Sequence, residues 1–278
     1  MERKFKIYIL TDNNELGKKA SEEAGKILTE YTKHLNRKCL CVFAAAPSQD
    51  TFLENLSKNK DINWENIYAF HLDEYIDLPD EHPNTFKEYL KTHIFEKIDI
   101  PAKNIFYMKD VGKTPDEIIK NYSELFKEKY REVKNEGGIY IAFIGIGVNG
   151  HIAFNEPGTN LWTDEIVIKV EIDEISVKQQ YDDYKNHPDP RARYKSLNDV
   201  PRNALTMTVS SILLADKIFC MVPGKQKANA VKQTIDGDIT NKIPATFLRL
   251  HEDVSLFLDL DSSFLLLKKP ESKIKKGV

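Results

Sequence analysis

The segment 139–158, with the sequence IYIAFIGIGVNGHIAFNEPG, constrains the fold of this chain more than any other. Its first six residues are apolar, mostly β-branched or aromatic, and show no polar face. Such a run is typical of a parallel strand that is buried on both sides. Glycines, a histidine and a glutamate follow. Because ligands of open parallel sheets lie beyond the carboxyl ends of strands, the segment predicts a strand that leads into a binding or active site.

The glycines of this segment allow two interpretations. They spell G-x-G-x-x-G, and Glu171 follows about twenty residues later, as a dinucleotide-binding fingerprint requires. That fingerprint also needs a full helix after its last glycine, whereas Pro157 and Gly158 stop any helix that starts there. Nicotinamide binding is therefore a minor alternative, and we expect no cofactor. The stronger interpretation is a tight loop that lets the backbone approach a ligand, with His151 and Glu156 on a short helix.

The rest of the chain alternates helical and extended patterns, without an internal repeat or a low-complexity linker. Apolar residues at helical spacing predict helices at 14–34, from 49 onward, 84–98, 114–134, 204–215, 225–235 and 245–249. Apolar or alternating runs predict strands at 6–10, 39–45, 66–72, 139–144, 165–172, 217–222 and 254–260. This order predicts an α/β fold: a doubly wound, mainly parallel sheet with helices on both faces. We expect one domain over residues 1–278, with an irregular lid or excursion at 181–199.

Composition argues against several classes of partner. The formal net charge of −3 over 278 residues provides no electrostatic reason to expect nucleic acid or an anionic membrane. No apolar run approaches the roughly 20 residues of a membrane-spanning helix, and the first residues lack the apolar core of a signal peptide. We therefore predict a cytoplasmic protein. Cys39, Cys41 and Cys220 are interpreted as reduced, buried packing residues, and we expect no metal site.

Polar residues also stand at the ends of other predicted strands. Asp73 and Glu74 end the apolar run that begins near residue 66, at the sheet edge where a general base would have to lie. Ser48 is placed to cap the helix that follows the strand at 39–45, and the free N–H groups of that first turn would bind an anion. A strand-to-helix turn of the same kind precedes Lys227. Taken alone, a capped helix or a solvated strand end is the more common explanation of each.

Residues 145–157, GIGVNGHIAFNEP, resemble the glucosamine-6-phosphate deaminase family, whose members carry G-x-G-x-D/N-G-H-I-A-F-N-E-P almost letter for letter. The sister family of phosphogluconolactonases has a similar glycine–histidine start but lacks the Ala-Phe-Asn-Glu-Pro continuation. The similarity extends from about residue 40 to about residue 260. It implies a Rossmann-like fold of the deaminase/phosphogluconolactonase type, a small-molecule sugar phosphate as substrate, and proton-transfer chemistry without a metal. A homo-oligomer is compatible with the sequence.

The resemblance implies a role for each matched residue. His151 would pass a proton to the ring oxygen of the sugar, Asp73 would carry the proton of C2, and Glu156 would hold His151 in its working tautomer. Lys227, in a G-x-Q-K context, would contact the phosphate, and Glu74 would be structural. Further substrate contacts are assigned to the glycine loop and to the loop after the strand at 39–45, at Gly147, Ala46, Ser48 and Gln49.

Three positions depart from the family pattern. Asn149 stands where many deaminases have an Asp beside the histidine, and we retain it in the catalytic set as an uncharged partner. The phosphate loop, which is Thr/Gly-rich in the family, reads AAAPSQ over residues 44–49. A phosphate-binding Arg expected near position 181 is replaced by Gln179-Gln180-Tyr181, and Arg191 and Arg193 are alternative phosphate contacts.

These departures leave four interpretations of function open. The first is a deaminase that converts glucosamine 6-phosphate to fructose 6-phosphate and ammonia with Glu156 as the sole charged partner of His151. The second is a relative that acts on another amino-sugar phosphate. The third is a 6-phosphogluconolactonase-like hydrolase, and the fourth is a non-catalytic sugar-phosphate sensor. The presence of Asp73, His151, Glu156 and Lys227 together favours an enzyme.

Overall fold

The computed structural model describes residues 4–267, in which strands and helices alternate along the chain. The strands are β1 (Lys4–Leu10), β2 (Cys39–Phe43), β3 (Ile67–His71), β4 (Asp73–Tyr75), β5 (Ile139–Ile144), β6 (Val167–Glu171), β7 (Asn203–Met207), β8 (Lys217–Val222) and β9 (Asp253–Asp259). The helices are α1 (Asn13–Thr29), α2 (Asp50–Ser57), α3 (Phe86–His93), α4 (Pro115–Asn135), α5 (Glu174–Tyr184), α6 (Val209–Ile212), α7 (Ala228–Asp236) and α8 (Phe264–Leu267). Within residues 4–267, no helix is long and apolar enough to cross a membrane.

A six-stranded parallel sheet forms the centre of the fold, with the strand order β1-β9-β8-β5-β2-β3. The chain first adds β3 beside β2, toward one edge of the sheet. It then returns to pair β5 with the other side of β2 and adds β8 and β9 toward the opposite edge, where β1 lies. Such a reversal of strand order leaves a crevice at the carboxyl ends of the strands that flank it. The predicted doubly wound, mainly parallel sheet is confirmed.

Side chains of the central strands alternate between two apolar cores. Phe43, Phe143 and Phe219 point to one face, where α1, α2 and α3 pack. Val42 and Ile144 point to the other face, which α4 and α7 cover. Helices therefore lie on both faces of the sheet, as predicted. All three cysteines are free and buried in these cores, which confirms their interpretation as packing residues.

A smaller antiparallel sheet, in the order β4-β7-β6, continues from the carboxyl end of β3, and Asp73 pairs there with Thr206. The prediction of a helix over residues 204–215 is wrong, because residues 203–207 form β7. Only the single helical turn α6, capped by Thr208, follows. Leu205 and Met207 are buried in the second core while their backbones pair with β4 and β6. Pairing with strands that are remote in sequence has overridden a locally helical pattern.

The excursion predicted at 181–199 begins later than expected, because α5 continues to Tyr184. The remainder contains 3₁₀ turns at Pro190–Ala192 and Leu197–Asp199. Tyr184 and Tyr194 are buried in the first core, with ring centroids 5.9 Å apart. These aromatic contacts anchor the irregular segment to the domain. Its role as a lid stays a prediction.

Candidate active site

The carboxyl ends of four adjacent strands, β3, β2, β5 and β8, surround one cleft. The loops after these strands line it with Ala46, Ser48, Asp73, Gly147, His151 and Lys227. Gln179 and Gln180 reach the same cleft from α5. Parallel pairing thus brings together most of the residues that the sequence places at separate strand ends. Within residues 4–267, no three His, Cys, Asp or Glu side chains are grouped so as to hold a metal ion.

Asp73 is the first residue of β4, and the neighbouring His71 fixes the turn that leads to it. Nε2 of His71 accepts from the N–H of Met108 at 2.8 Å, so Nδ1 carries the proton and donates to the carbonyl of Asp73, also at 2.8 Å. Burial lowers the pKa of His71 to about 4, which keeps the ring neutral and both bonds intact. Burial, followed by the charge of Glu74, raises the pKa of the Asp73 carboxyl well above its usual range. A carboxylate with a raised pKa is a stronger base.

Glu74 faces away from the cleft and holds the start of α3. Its carboxylate accepts from the N–H groups of Tyr75, Phe86 and Lys87 at 2.9, 3.0 and 2.9 Å. Burial raises the pKa of Glu74 to about 7, although these hydrogen bonds favour the ionised form. The placement agrees with the structural role expected for Glu74, because the first N–H groups of a helix need an acceptor.

The ring of His151 lies directly against the backbone of Gly147. A Cβ at position 147 would lie 2.1 Å from Nε2 of His151, so only glycine allows the ring to take this place. The chain turns here and does not form the predicted short helix, because Gly150 and Ala153 have φ of +86° and +51°, outside the right-handed helical region. Ala153 lines the cleft, and such strained backbone positions cluster at functional sites.

Nδ1, the other ring nitrogen of His151, faces the buried side chains of Ser176 and Glu156. Nδ1 lies 2.9 Å from Oγ of Ser176 and 3.3 Å from Oε2 of Glu156. Nδ2 of Asn149 donates to the same Oε2 at 2.8 Å, and Oδ1 of Asn149 accepts from the backbone N–H of His151 at 3.1 Å. Burial pushes the pKa of Glu156 upward, but the His151, Ser176 and Asn149 side chains outweigh it and hold this pKa below its usual range. Glu156 is therefore an ionised carboxylate.

Lys227 supplies the positive charge of the cleft from the turn between β8 and α7. Its Nζ donates to Oε1 of Gln179 at 3.0 Å, and the N–H of Val148 donates to the same oxygen at 3.1 Å. Burial lowers the pKa of Lys227 to about 8, against the opposing effect of Asp183. Near neutral pH it is mainly an ammonium that is only 6% exposed and bonds to a neutral amide. A buried charge with this partner attracts an anion.

The loop after β2 is built differently from the expected anion site. Pro47 starts a 3₁₀ turn, so Ser48 lies inside the turn and does not cap α2 as predicted. Oγ of Ser48 instead accepts from Nε2 of Gln49 at 3.0 Å. Gln49 is buried beneath the loop and is absent from the described residues that line the cleft, whereas Ala46 and Ser48 line it. Gln49 would therefore act on a ligand through Ser48.

The two arginines of the irregular segment bond to their own surroundings. Arg191 forms an ion pair with Asp189 at 2.6 Å. Arg193 donates to the carbonyls of His187 and Pro188. Neither arginine is among the described residues that line the cleft, so the structure does not support them as phosphate contacts.

Residues 16–175 match the family model described as glucosamine-6-phosphate isomerases/6-phosphogluconolactonase. The chain belongs to this family. The chain is similar to the glucosamine-6-phosphate deaminase of Thermoanaerobacter sp. (strain X514), with 31% identity over 272 residues that cover 98% of both chains. The glucosamine-6-phosphate deaminase of Clostridium beijerinckii is 31% identical over 257 residues, which cover 92% of this chain and 97% of that protein.

Solved structures agree with this family membership. A monomeric glucosamine-6-phosphate deaminase superimposes with a TM-score of 0.80 and 26% identity, over 94% of this chain and 99% of that one. The 6-phosphogluconolactonase of Thermotoga maritima superimposes with a TM-score of 0.65 and 20% identity, over 92% and 100% of the two chains. The second likeness shows the fold alone. The Rossmann-like fold of the deaminase/phosphogluconolactonase type is thereby confirmed.

Sequence reasoning named Gln179 and Gln180 only as the residues that replace the expected Arg, and it missed helix α5 and Ser176. Helix α5 directs Ser176, Gln179 and Gln180 toward the site from one face, at the spacing i, i+3, i+4. The available signal was Asp173, the N-cap residue, whose side chain accepts from the N–H of Ile175 at 2.7 Å. Polar residues on a helix face ordinarily indicate solvent, so their burial against the cleft was not visible in the pattern.

Proposed function

We propose that this protein is a glucosamine-6-phosphate deaminase, which converts glucosamine 6-phosphate and water to fructose 6-phosphate and ammonia. The observation that carries the proposal is the convergence of an acid–base pair, Asp73 and His151, with the buried cation of Lys227 in one cleft. The deaminase relatives that match nearly the whole chain support the substrate class. The formal charge of −3 gives no electrostatic reason to expect nucleic acid or an anionic membrane, and the partner we propose is a free sugar phosphate in the cytoplasm.

Lys227 binds the phosphate in this proposal. Its ammonium is held by Oε1 of Gln179, and the neutral amides of Gln179 and Gln180 provide additional donors at the same end of the cleft. Ala46 and Ser48 close this end from the loop after β2. The sugar then extends toward Asp73 and His151, so that its C1 and C2 atoms lie between the two reacting groups.

His151 opens the sugar ring. Its unprotonated Nε2 takes the proton of the C1 hydroxyl and delivers it to the ring oxygen as the bond between C1 and that oxygen breaks. Glu156, ionised and 3.3 Å from Nδ1, stabilises the imidazolium that forms between these two transfers. The product of this step is the open-chain aldehyde.

Asp73 then moves a proton between two carbon atoms. Its carboxylate removes the proton of C2 while the ammonium group on C2 gives a proton to the aldehyde oxygen, which leaves a neutral enolamine. The same carboxyl returns a proton to C1, and the resulting imine at C2 adds water and expels ammonia. The raised pKa of Asp73 suits this role, because a group that both accepts and returns a proton acts best with a pKa closer to the working pH.

Ammonia release from a panel of hexosamine 6-phosphates tests the proposal. Glucosamine, galactosamine and mannosamine 6-phosphates are each incubated with the purified protein, and ammonia and ketose phosphate are measured without added metal or nucleotide. We expect equimolar release of both products from the glucosamine compound. Release from another epimer alone would assign a different substrate. Hydrolysis of 6-phosphogluconolactone without ammonia would indicate a lactonase, and binding without turnover would indicate a sensor.

A further inference from the structure

Ser176 makes contacts that are unusual for a serine in a helix. Buried helical serines generally donate to a carbonyl one turn earlier. Ser21 in α1 and Ser57 in α2 follow this rule, with bonds of 2.8 and 2.9 Å to Lys18 and Glu54. Ser176 lies in the first turn of α5, is fully buried, and directs Oγ to the ring of His151. Helix capping does not explain this orientation, because Asp173 caps α5.

The positions of the protons follow from the partners of His151. Nδ1 faces an ionised carboxylate oxygen of Glu156, which can only accept, so Nδ1 carries the proton. The contact from Nδ1 to Oγ of Ser176 is shorter than the contact to Glu156, at 2.9 against 3.3 Å. Oγ therefore accepts from Nδ1. Ser176 also helps to hold the pKa of Glu156 below its usual range.

Asn149 does not compete for this position. Its amide nitrogen donates to Oε2 of Glu156 at 2.8 Å and lies only within a long 3.4 Å contact of Oγ of Ser176. Its amide oxygen accepts from the backbone N–H of His151. Asn149 thus orients the carboxylate and the loop, and the shortest polar contact of Nδ1 is left to the hydroxyl of Ser176.

We propose that Ser176 is a positioning residue: its hydroxyl accepts the Nδ1 proton of His151 and, together with the carboxylate of Glu156, holds the ring in its Nδ1–H tautomer. Nε2 is then unprotonated and faces the cleft as the acceptor of a substrate proton. The catalytic part of this assignment rests on the proposed deaminase function. The tautomer is a property of the unliganded protein and does not depend on that function.

Two measurements on Ser176→Ala test the proposal. In protein with ¹⁵N-labelled histidine, the Nε2 and Nδ1 resonances of His151, identified by their loss in His151→Gln, should show the Nδ1–H tautomer in the wild type. They should shift toward a tautomer mixture in Ser176→Ala. We expect kcat to fall about 10- to 100-fold with KM within about twofold, as for the loss of one hydrogen bond to a charged group.

Matched variants separate positioning from packing. Ser21→Ala removes a buried helical hydroxyl that bonds within its own helix, so it should leave the tautomer and kcat unchanged. Ser176→Thr retains the hydroxyl and should retain the tautomer. If the added methyl group of threonine prevents folding, Ser176→Cys replaces it as the variant of similar size, and its weakly accepting thiol should retain the tautomer only in part. A wild-type Nε2–H tautomer, or a tautomer unchanged in Ser176→Ala, would overturn the proposal. If the wild type turns over no hexosamine phosphate while the tautomer shifts as expected, the positioning contact stands and the deaminase function falls.

Discussion

Asp73 and Glu74 are adjacent carboxylates with different partners, and their substitution should separate catalysis from stability. Asp73→Asn should lower kcat about 10²- to 10⁴-fold and change KM little, because the amide cannot carry the C2 proton. Glu74→Gln should lower the free energy of unfolding by about 1–3 kcal/mol, because an amide NH₂ would face the N–H donors of α3. Steady-state kinetics and thermal denaturation of both variants measure these effects. A lowered kcat with unchanged stability in Glu74→Gln would reverse the two roles.

Lys227 should make phosphate binding depend on pH. Its pKa is lowered to about 8, so the positive charge is present below this pH and is lost above it. The Kd of fructose 6-phosphate should therefore increase above pH 8, by up to about tenfold per pH unit. This product has no amino group to titrate in the same range. Calorimetric titration between pH 7 and 9.5 measures the dependence.

Two substitutions of Lys227 serve as controls for this pH effect. Lys227→Ala should bind fructose 6-phosphate weakly at every pH. Lys227→Arg should bind it with little change up to pH 9.5, because a guanidinium stays charged. If the alanine variant keeps the same pH dependence as the wild type, another group binds the phosphate.

Asn149 and His151 both contact Oε2 of Glu156, but substitutions of Glu156 and Asn149 should differ in their effect on kcat. Glu156→Gln removes the only negative charge beside Nδ1 of His151 among the described residues and should lower kcat by about 10- to 100-fold. Asn149→Asp should be better tolerated, although it exchanges a donor to Glu156 for a second negative charge. That charge favours the protonated imidazole and should shift the His151 limb of the kcat–pH profile to higher pH. An unshifted limb in Asn149→Asp, together with full activity of Glu156→Gln, would exclude His151 and its partners from the mechanism.

The glycine loop after β5 positions His151, so one methyl group added to this loop should lower kcat. Gly147→Ala places Cβ 2.1 Å from Nε2 of His151, so the ring must move, and kcat should fall at least about 10²-fold. Gly137→Ala is the matched control at the amino end of β5, where φ is +69°. It should lower the free energy of unfolding by about 1–2 kcal/mol and leave kcat near the wild-type value. Equal effects of both variants on kcat would mean that the loop does not position His151.

For the whole molecule, the cleft joins both halves of the central sheet, so a ligand bound there should stabilise the entire domain. Fructose 6-phosphate at about 100 times its Kd should raise the free energy of unfolding by about 2.7 kcal/mol. For a domain of this size, that corresponds to an increase of Tm of roughly 5 °C. Fructose without phosphate should give no shift, and Lys227→Ala should lose most of it. An equal increase of Tm with fructose would mean that the phosphate group does not contact the site.

The central strands and the polar residues that follow them could be predicted from the amino-acid sequence alone. The runs that became β5 and β8 were predicted at their observed bounds, because strands buried on both faces have few polar positions to obscure the pattern. Asp73, His151 and Lys227 stand in the segments that follow such strands, and the resemblance of these segments to the deaminase family singled them out. Parallel pairing then placed all three in one cleft, as the doubly wound order requires.

The groups that these residues contact could not be predicted from the sequence, because the contacts depend on how distant elements pack. β7 is a strand because it pairs with β4 and β6, which are distant in sequence, and no local pattern records that pairing. Asn149 contacts Glu156, and Ser176 contacts the ring of His151, because α5 packs against the glycine loop. A sequence pattern encodes which face of an element is apolar. The partner of a buried polar atom is set by distances of about 3 Å between elements, and these exist only once the chain has folded.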